Sequence, residues 1–322
     1  MTARGGFTAA PSLPACRESS TDSPPQLNEY ATDGRAEVVA VRRAERVNGG
    51  LSMPYASVNG IRLAYERTGQ GEHVLLIMGQ AAGGNVWTMH QVPALNQAGY
   101  ETVTFENRGV PPSDVPPGRY FLDDLVTDTA ELIEALDFGP CRLVGTSMGA
   151  LIAAELAVAR PDLVTCCVLM AMRSRADVLR RALYSGERML AENGVRLPPA
   201  YDAPNSVLQM FSPATLNSDT AVATWLDIYE MSASRRGAAG GQSSIDLTSD
   251  KRDLLRRIGV PCRAIAFSDD LMCPPYLVAE VAEAIPDCDY VEIASCGHVG
   301  YLERPHEVNA AIVEFLDKNR SC

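Results

Sequence analysis

From Tyr55 onward, short apolar runs alternate with segments of helical periodicity, and this alternation limits the architecture more than any other feature. YASVNGIRLAYERTG reads as a hairpin turning at Asn59-Gly60, a pair that tolerates the left-handed backbone of a tight turn. HVLLIMG, YETVTFEN, CRLVGTS and TCCVLMAM read as strands. VWTMHQVPALNQAG, DDLVTDTAELIEALDFG and GALIAAELAVARP read as the helices between them. Near-continuous apolar strands are covered on both faces, which implies an α/β fold with a mostly parallel sheet flanked by helices. Over residues 174–250 the alternation stops and only helical segments follow, closed by the Gly-rich RRGAAGGQSS. It then resumes with DLLRRIG, CRAIAFS, PYLVAEVAEAIP, YVEIAS and EVNAAIVEFLDKN. The expected division is an α/β core over 54–173 and 251–322 with an inserted helical cap over 174–250.

Residues 1–53 are rich in Ser, Thr, Pro, Gly and Ala and poor in large apolar residues, so disorder is expected there. RAEVVAVRRAERV, residues 35–47, has the composition of a short helix. No charged start, apolar core and small-residue cleavage site mark a secretory signal. The 322 residues suffice for one large domain with an insertion. The net charge of −12 repels phosphate backbones, which argues against a nucleic-acid partner. No apolar run approaches the roughly 20 residues of a membrane helix, so no membrane partner is expected. Nine cysteines at irregular spacing, without C-x-x-C, read as reduced thiols of a cytoplasmic protein.

LVGTSMGA, Leu143 to Ala150, sets Ser147 where a strand hands over to a helix. A sharp turn there lifts the side chain out of the carboxyl edge of the sheet. Gly145 and Gly149 are needed because a Cβ at either would collide with a neighbouring element. The helix that follows aims N–H groups at the same point, which favours a developing oxyanion. A serine hydroxyl is a weak nucleophile and needs a base. Of four histidines, His73 begins a strand at the wrong end, His90 falls inside a predicted helix, and His306 lies in a polar first turn. His298 follows YVEIAS in CGHVGYLERP and is the base this position selects. The base needs a carboxylate to fix its tautomer. CRAIAFS runs into Asp269 and Asp270; Asp270 is favoured because it stands four residues before the helix-opening Pro274, leaving Asp269 as a loop or cap residue. Cys273 and Cys296 sit at no such elbow and read as buried or loop thiols.

With Ser147, Asp270 and His298 in this order, the chain resembles the α/β-hydrolase superfamily over about residues 54–320. LLIMGQAAGG is similar to the family's oxyanion loop, with Met78 in place of a histidine. FENRGVPPSD resembles its D-x-R-G-x-G-x-S turn; Glu106 and Pro111 depart from it, and Arg108 and Ser113 remain. SDDLMCP resembles the acid loop, with Phe267 where the family has glycine. CGHVGYLERP matches the histidine loop through Gly297, His298, Glu303 and Pro305. The resemblance implies oxyanion donors at the backbone N–H groups of Gln80 and Met148, and bracing roles for Arg108 and Ser113. It implies acyl transfer to Ser147 with His298 as base and then acid. A serine at the elbow, where alkyl-enzyme members carry aspartate, favours carbonyl chemistry over dehalogenation. No metal or organic cofactor is expected: there is no H-E-x-x-H, and GQAAGG is not a dinucleotide fingerprint.

The expected substrate is a small-molecule or peptide-like acyl compound such as an ester or lactone. Trp87, Tyr184, Phe211, Trp225 and Tyr229 are candidates to line its pocket, unless they serve to pack the cap onto the core. The alternative is a specialised natural-product enzyme performing a peptidase, cyclase, epoxide-opening or other non-hydrolytic step. Glu187, Glu192 and Glu230 in the cap keep the peptidase version open.

Overall fold

The computed structural model describes residues 53–238 and 240–320, and the two-residue steps Arg46–Val47 and Gly50–Leu51, which pair antiparallel. The disorder expected over 1–53 and the short helix over 35–47 otherwise lie outside the described residues. Arg46–Val47 themselves are strand, not helix.

Among the described residues, eight strands form one sheet. They are β1 (Tyr55–Val58), β2 (Ile61–Gly69), β3 (Glu72–Ile77), β4 (Tyr100–Phe105), β5 (Cys141–Thr146), β6 (Val164–Met170), β7 (Cys262–Phe267) and β8 (Cys288–Ile293). Their order is β8-β7-β6-β5-β3-β4-β2-β1. Strands β3 to β8 are mutually parallel, and the β1–β2 hairpin adds an antiparallel edge. The hairpin turns at Asn59 (φ 42°) and Gly60 (φ 75°), both left-handed. Such a turn matches the twist of the flanking strands.

The apolar runs explain the layers. Along β3 and β5, alternate side chains enter cores on opposite faces: Leu75, Ile77 and Leu143 on one, Val74, Leu76 and Val144 on the other. Helices α1 (Gln91–Gln97), α2 (Leu122–Ala135) and α3 (Met148–Ala159) connect the first parallel strands. The predicted continuous helix over 86–99 is split. A 3₁₀ turn covers Gly84–Met89, the chain breaks at His90 (φ −140°), and α1 starts afresh. Pro93 is the physical reason: its ring would meet the carbonyl four residues back, so it is tolerated only in a first turn.

Between β6 and β7 run α4 (Val178–Glu192), α5 (Pro199–Met210), α6 (Pro213–Leu216) and α7 (Asp219–Ala238). The predicted helix at DLLRRIG is one turn, α8 (Arg252–Leu255). Then come α9 (Pro275–Ala284), α10 (Gly300–Glu303) and α11 (Pro305–Lys318). No described helix is long and apolar enough to cross a membrane.

The chain passes from β3 outward to β4 and returns to β5 on the other side of β3. The order of strands therefore reverses at β3–β5. In open parallel sheets, the crevice beyond the carboxyl ends at such a point is where ligands bind. Here α3 rests directly on backbone: a Cβ on Gly149 would stand 2.1 Å from the Ile77 carbonyl oxygen, and one on Gly145 would stand 2.4 Å from the Gly149 carbonyl oxygen. Gly149→Ala is accordingly expected to lower unfolding stability by about 3 kcal/mol. Gly186→Ala, in an exposed turn of α4 with open space around it, should raise it by about 0.5–1 kcal/mol. Urea unfolding of the two variants beside the parent protein checks both signs.

Candidate active site

Strand register puts three loops on one edge. Thr146 pairs with Met170, Met170 with Ile265, and Phe267 with Ile293, so β5, β6, β7 and β8 end side by side. Ser147 follows β5, Asp270 follows β7, and His298 follows β8.

Ser147 has φ 54° and ψ −119°, a left-handed φ for a residue with a side chain. Such a conformation costs about 1–3 kcal/mol and persists where the surroundings over-determine it. They do so here. The Ser147 N–H donates to the Met170 carbonyl at 2.9 Å, and its carbonyl accepts from Ala150 and Leu151 at 3.1 and 3.2 Å. The side chain keeps partial access to solvent. Met148 is the first residue of α3, where a backbone N–H has no acceptor within the helix.

The loop after β3 crosses close to this serine. A Cβ on Gly79 would lie 3.3 Å from Ser147 Cβ and 3.9 Å from its Oγ. Next in the chain, the Gln80 N–H has no hydrogen-bond acceptor among the described residues. The loop is held from several sides. Ala81 (φ 57°) donates its N–H to Gln242 Oε1 at 2.7 Å; Gln242 Nε2 donates to the Arg108 carbonyl at 2.7 Å. Gln80 Nε2 donates to the Gln242 carbonyl at 3.1 Å, and Asn107 Nδ2 to the Met78 carbonyl at 3.0 Å. Behind it, Arg108 grips Asp128 with two bonds of 2.7 and 2.6 Å. Ser113 Oγ donates to the Glu106 carbonyl and accepts from the Ala64 N–H. Arg108 and Ser113 thus fasten the loop that carries Asn107 and Glu106.

His298 Nδ1 lies 2.8 Å from Asp270 Oδ2, and both residues are buried. The other carboxylate oxygen accepts the N–H groups of Met272 and Cys273 at 2.7 and 2.8 Å. Asp270 is an acceptor in all three contacts, which assigns the proton to His298 Nδ1 and leaves Nε2 free to accept one. Asp269 instead donates its N–H to the Cys296 carbonyl at 3.0 Å. Glu303 ties the histidine loop to the helical stretch between β6 and β7. Its carboxylate accepts the Gly297 N–H at 2.6 Å, the Ser212 Oγ–H at 2.7 Å and the Thr215 hydroxyl.

The remaining histidines stand apart. His73, at the opposite end of β3, stacks on Phe138 with ring centroids 4.2 Å apart and bonds its carbonyl. His90 marks the helix break, and His306 is exposed.

Two pocket candidates are corrected. Trp87 is fully buried because the 3₁₀ turn points its ring inward against Tyr301, at 5.0 Å between centroids. Phe211 is buried beneath the histidine loop, where a Cβ on Gly297 would collide with the Phe211 backbone. Trp225 and Tyr229, both half-buried, pack on Phe211 at 4.6 and 6.2 Å. Half-buried Tyr184 reaches Gln80 Oε1 through a long 3.3 Å hydrogen bond. Gln242 carries no local sequence signal, since its partners lie far along the chain; Glu303 belongs to the histidine-loop pattern, but its bonds to Ser212 and Thr215 have no such signal.

Among the described residues, donors of a metal-binding type gather at Asp270, Cys273 and His298, within 4.8 Å of one another. Two of the three already bond each other, and burial, followed by the nearby Asp270 charge, pushes the Cys273 thiol up to about 12. Burial and then Glu303 do the same to Cys296. Both thiols are therefore protonated at neutral pH and inert. At pH 8, iodoacetamide should modify Cys273 and Cys296 about a hundredfold more slowly in the native protein than in guanidinium, as read by peptide mass spectrometry.

Residues 74–311 match the model of the alpha/beta hydrolase family. The chain is 43% identical over 258 residues to a protein of Mycobacterium tuberculosis provisionally named non-heme bromoperoxidase BpoC, covering 80% of this chain and 98% of that protein. The crystal structure of BpoC superposes with a TM-score of 0.75 at 40% identity, covering 80% of this chain and 97% of the other. A provisionally named carbamate hydrolase, RutD of Azorhizobium caulinodans, is 28% identical over 266 residues (82% and 98% covered). The 3-oxoadipate enol-lactonase 2 of Acinetobacter baylyi is 25% identical over 263 residues (80% and 94% covered). With its sheet order, its flanking helices and these matches, the chain belongs to the alpha/beta hydrolase family.

Proposed function

We propose that the protein is a serine hydrolase that cleaves an ester, lactone or related acyl bond of a small to medium organic substrate through an acyl-enzyme on Ser147. The observation that carries this reading is the Asp270–His298 pair, 2.8 Å apart, on the same sheet edge as a serine held at φ 54°. In this mechanism His298 Nε2 takes the hydroxyl proton as Ser147 Oγ attacks the acyl carbon. The carbonyl oxygen becomes an oxyanion facing the N–H groups of Met148 and Gln80; one such donor is worth about 10²–10³ in rate. The bond to the leaving alcohol breaks, and the alcohol takes the proton from His298. Water then gives its proton to His298 and attacks the acyl carbon. The carboxylic acid departs as Ser147 regains its proton.

The relatives' names support a carbonyl substrate, since carbamates and enol-lactones share the acyl carbon. The bromoperoxidase name fits the same intermediate: hydrogen peroxide attacking in place of water would release a peracid, an oxidant for bromide. In this reading the helices over 174–250 cap the site. Tyr184, Trp225 and Tyr229 then border the substrate, with Tyr184 nearest the oxyanion loop.

A fluorophosphonate probe followed by intact-mass measurement tests the nucleophile. One adduct is expected on the parent protein and none on Ser147→Ala; no adduct on folded parent protein overturns the reading. For the acid, Asp270→Asn should lower kcat on p-nitrophenyl esters by about 10³–10⁴, because the histidine tautomer is then wrong. Asp269→Asn should stay within about threefold of the parent, and the reverse ranking would reassign the role.

A further inference from the structure

The loop that crosses Ser147 turns on a strained residue. Gly79, Gln80, Ala81 and Ala82 form a β-turn whose own closing bond, from the Ala82 N–H to the Gly79 carbonyl, is a long 3.5 Å. Ala81, third in the turn, is left-handed at φ 57°, and Gln80 before it is not. That is the pattern of a type II turn, whose third position suits glycine and strains a residue with a Cβ. With alanine there, a type I turn is the relaxed alternative. The two differ by a rotation of the Gln80–Ala81 peptide, which exchanges the directions of the Gln80 carbonyl and the Ala81 N–H. The strained form must therefore be held from outside the turn.

Gln242 is placed to hold it. This residue is fully buried, in the 3₁₀ turn Gly240–Ser244. Its Oε1 accepts the Ala81 N–H at 2.7 Å, its Nε2 donates to the Arg108 carbonyl at 2.7 Å, and its own carbonyl accepts from Gln80 Nε2 at 3.1 Å. The side-chain oxygen discriminates between the two turns. It attracts the Ala81 N–H, and in the relaxed turn it would face the Gln80 carbonyl oxygen instead. A buried oxygen deprived of its donor is costly. Gln242 is itself anchored: a Cβ on neighbouring Gly241 would stand 2.4 Å from Tyr120 Cζ, and Ser244 Oγ accepts the Tyr120 N–H at 2.9 Å. From α4, Tyr184 Oη donates to Gln80 Oε1 at 3.3 Å. The side-chain amide of Gln80 is thus held at both of its polar atoms, while its backbone N–H has no acceptor among the described residues.

We propose that Gln242 is a positioning residue for the oxyanion donor: it clamps Ala81 in the left-handed turn that sets the Gln80 N–H beside Ser147. This rests on the hydrolase reading for its effect on turnover but not for the clamp.

The test pairs turnover of p-nitrophenyl butyrate with amide hydrogen exchange resolved to Ala81. Gln242→Met keeps the bulk and removes both polar partners. It is expected to lower kcat by about tenfold to a hundredfold with KM within about threefold, since an oxyanion donor acts on the transition state and not on the bound ester. In an Ala81→Gly background the same substitution should cost no more than about threefold, because glycine takes the left-handed form without a clamp. The Ala81 amide, slow to exchange in the parent, should exchange at least about tenfold faster in Gln242→Met. Gln242→Asn, an amide one carbon shorter, gives the same comparison if the methionine variant does not fold. An equal loss in both backgrounds overturns the clamp and marks a residue that serves the fold through Arg108. A rise in KM alone, or unchanged turnover, overturns it as well, and so does Ala81 exchange that ignores the loss of Gln242. If the parent cleaves no ester, Gln242-dependent protection of Ala81 keeps the clamp and sinks the hydrolase reading.

Discussion

The approach of the Gly149 backbone to the Ile77 carbonyl is the contact on which the candidate site depends. Helix α3 lies against β3 with no side chain between them, because a single methyl at Gly149 would stand 2.1 Å from that oxygen. The chain must therefore turn from β5 into α3 within one residue, and that residue is Ser147, at φ 54°. Gly79 approaches the same serine from the loop after β3, where a Cβ would make a tight 3.3 Å contact with Ser147 Cβ. Burial of α3, apolar on nearly every side, offsets the strain. The elbow is thus a consequence of close packing, which leaves the Ser147 side chain partly accessible.

Around the elbow, ties that are distant in sequence set the geometry. Gln242 holds the loop of Gln80 and Ala81 from across the helical insertion. Glu303 binds the histidine loop to Ser212 and Thr215 of the same insertion. Arg180, on α4, reaches the loop that carries Asp270. The loops after β3, β7 and β8 are therefore fixed in part by residues between β6 and β7.

Much of this was legible in the residues. Apolar periodicity marks the strands, Asn59-Gly60 marks the hairpin, and the glycines around Ser147 mark the elbow, because each is a local requirement of backbone geometry. His298 and Asp270 follow from their positions after strands. Legibility ends where the outcome depends on distant partners. Trp87 looks like a pocket residue until the break at His90 turns it against Tyr301. The run DLLRRIG looks like a helix, yet Ile258 and Leu255 are buried and the chain stops after one turn to enter β7. Gln242 gives no sign of its role, since it works through residues more than a hundred positions away.

The central claim is that Ser147 carries the acyl group during turnover. Rapid-quench peptide mass spectrometry during hydrolysis of a slowly deacylating p-nitrophenyl ester measures this directly. The account predicts a transient acyl mass on the peptide containing Ser147, appearing with the first burst of p-nitrophenol and decaying as substrate is exhausted. Steady turnover with that peptide unmodified at every time point, or with the acyl group on another residue, would contradict it.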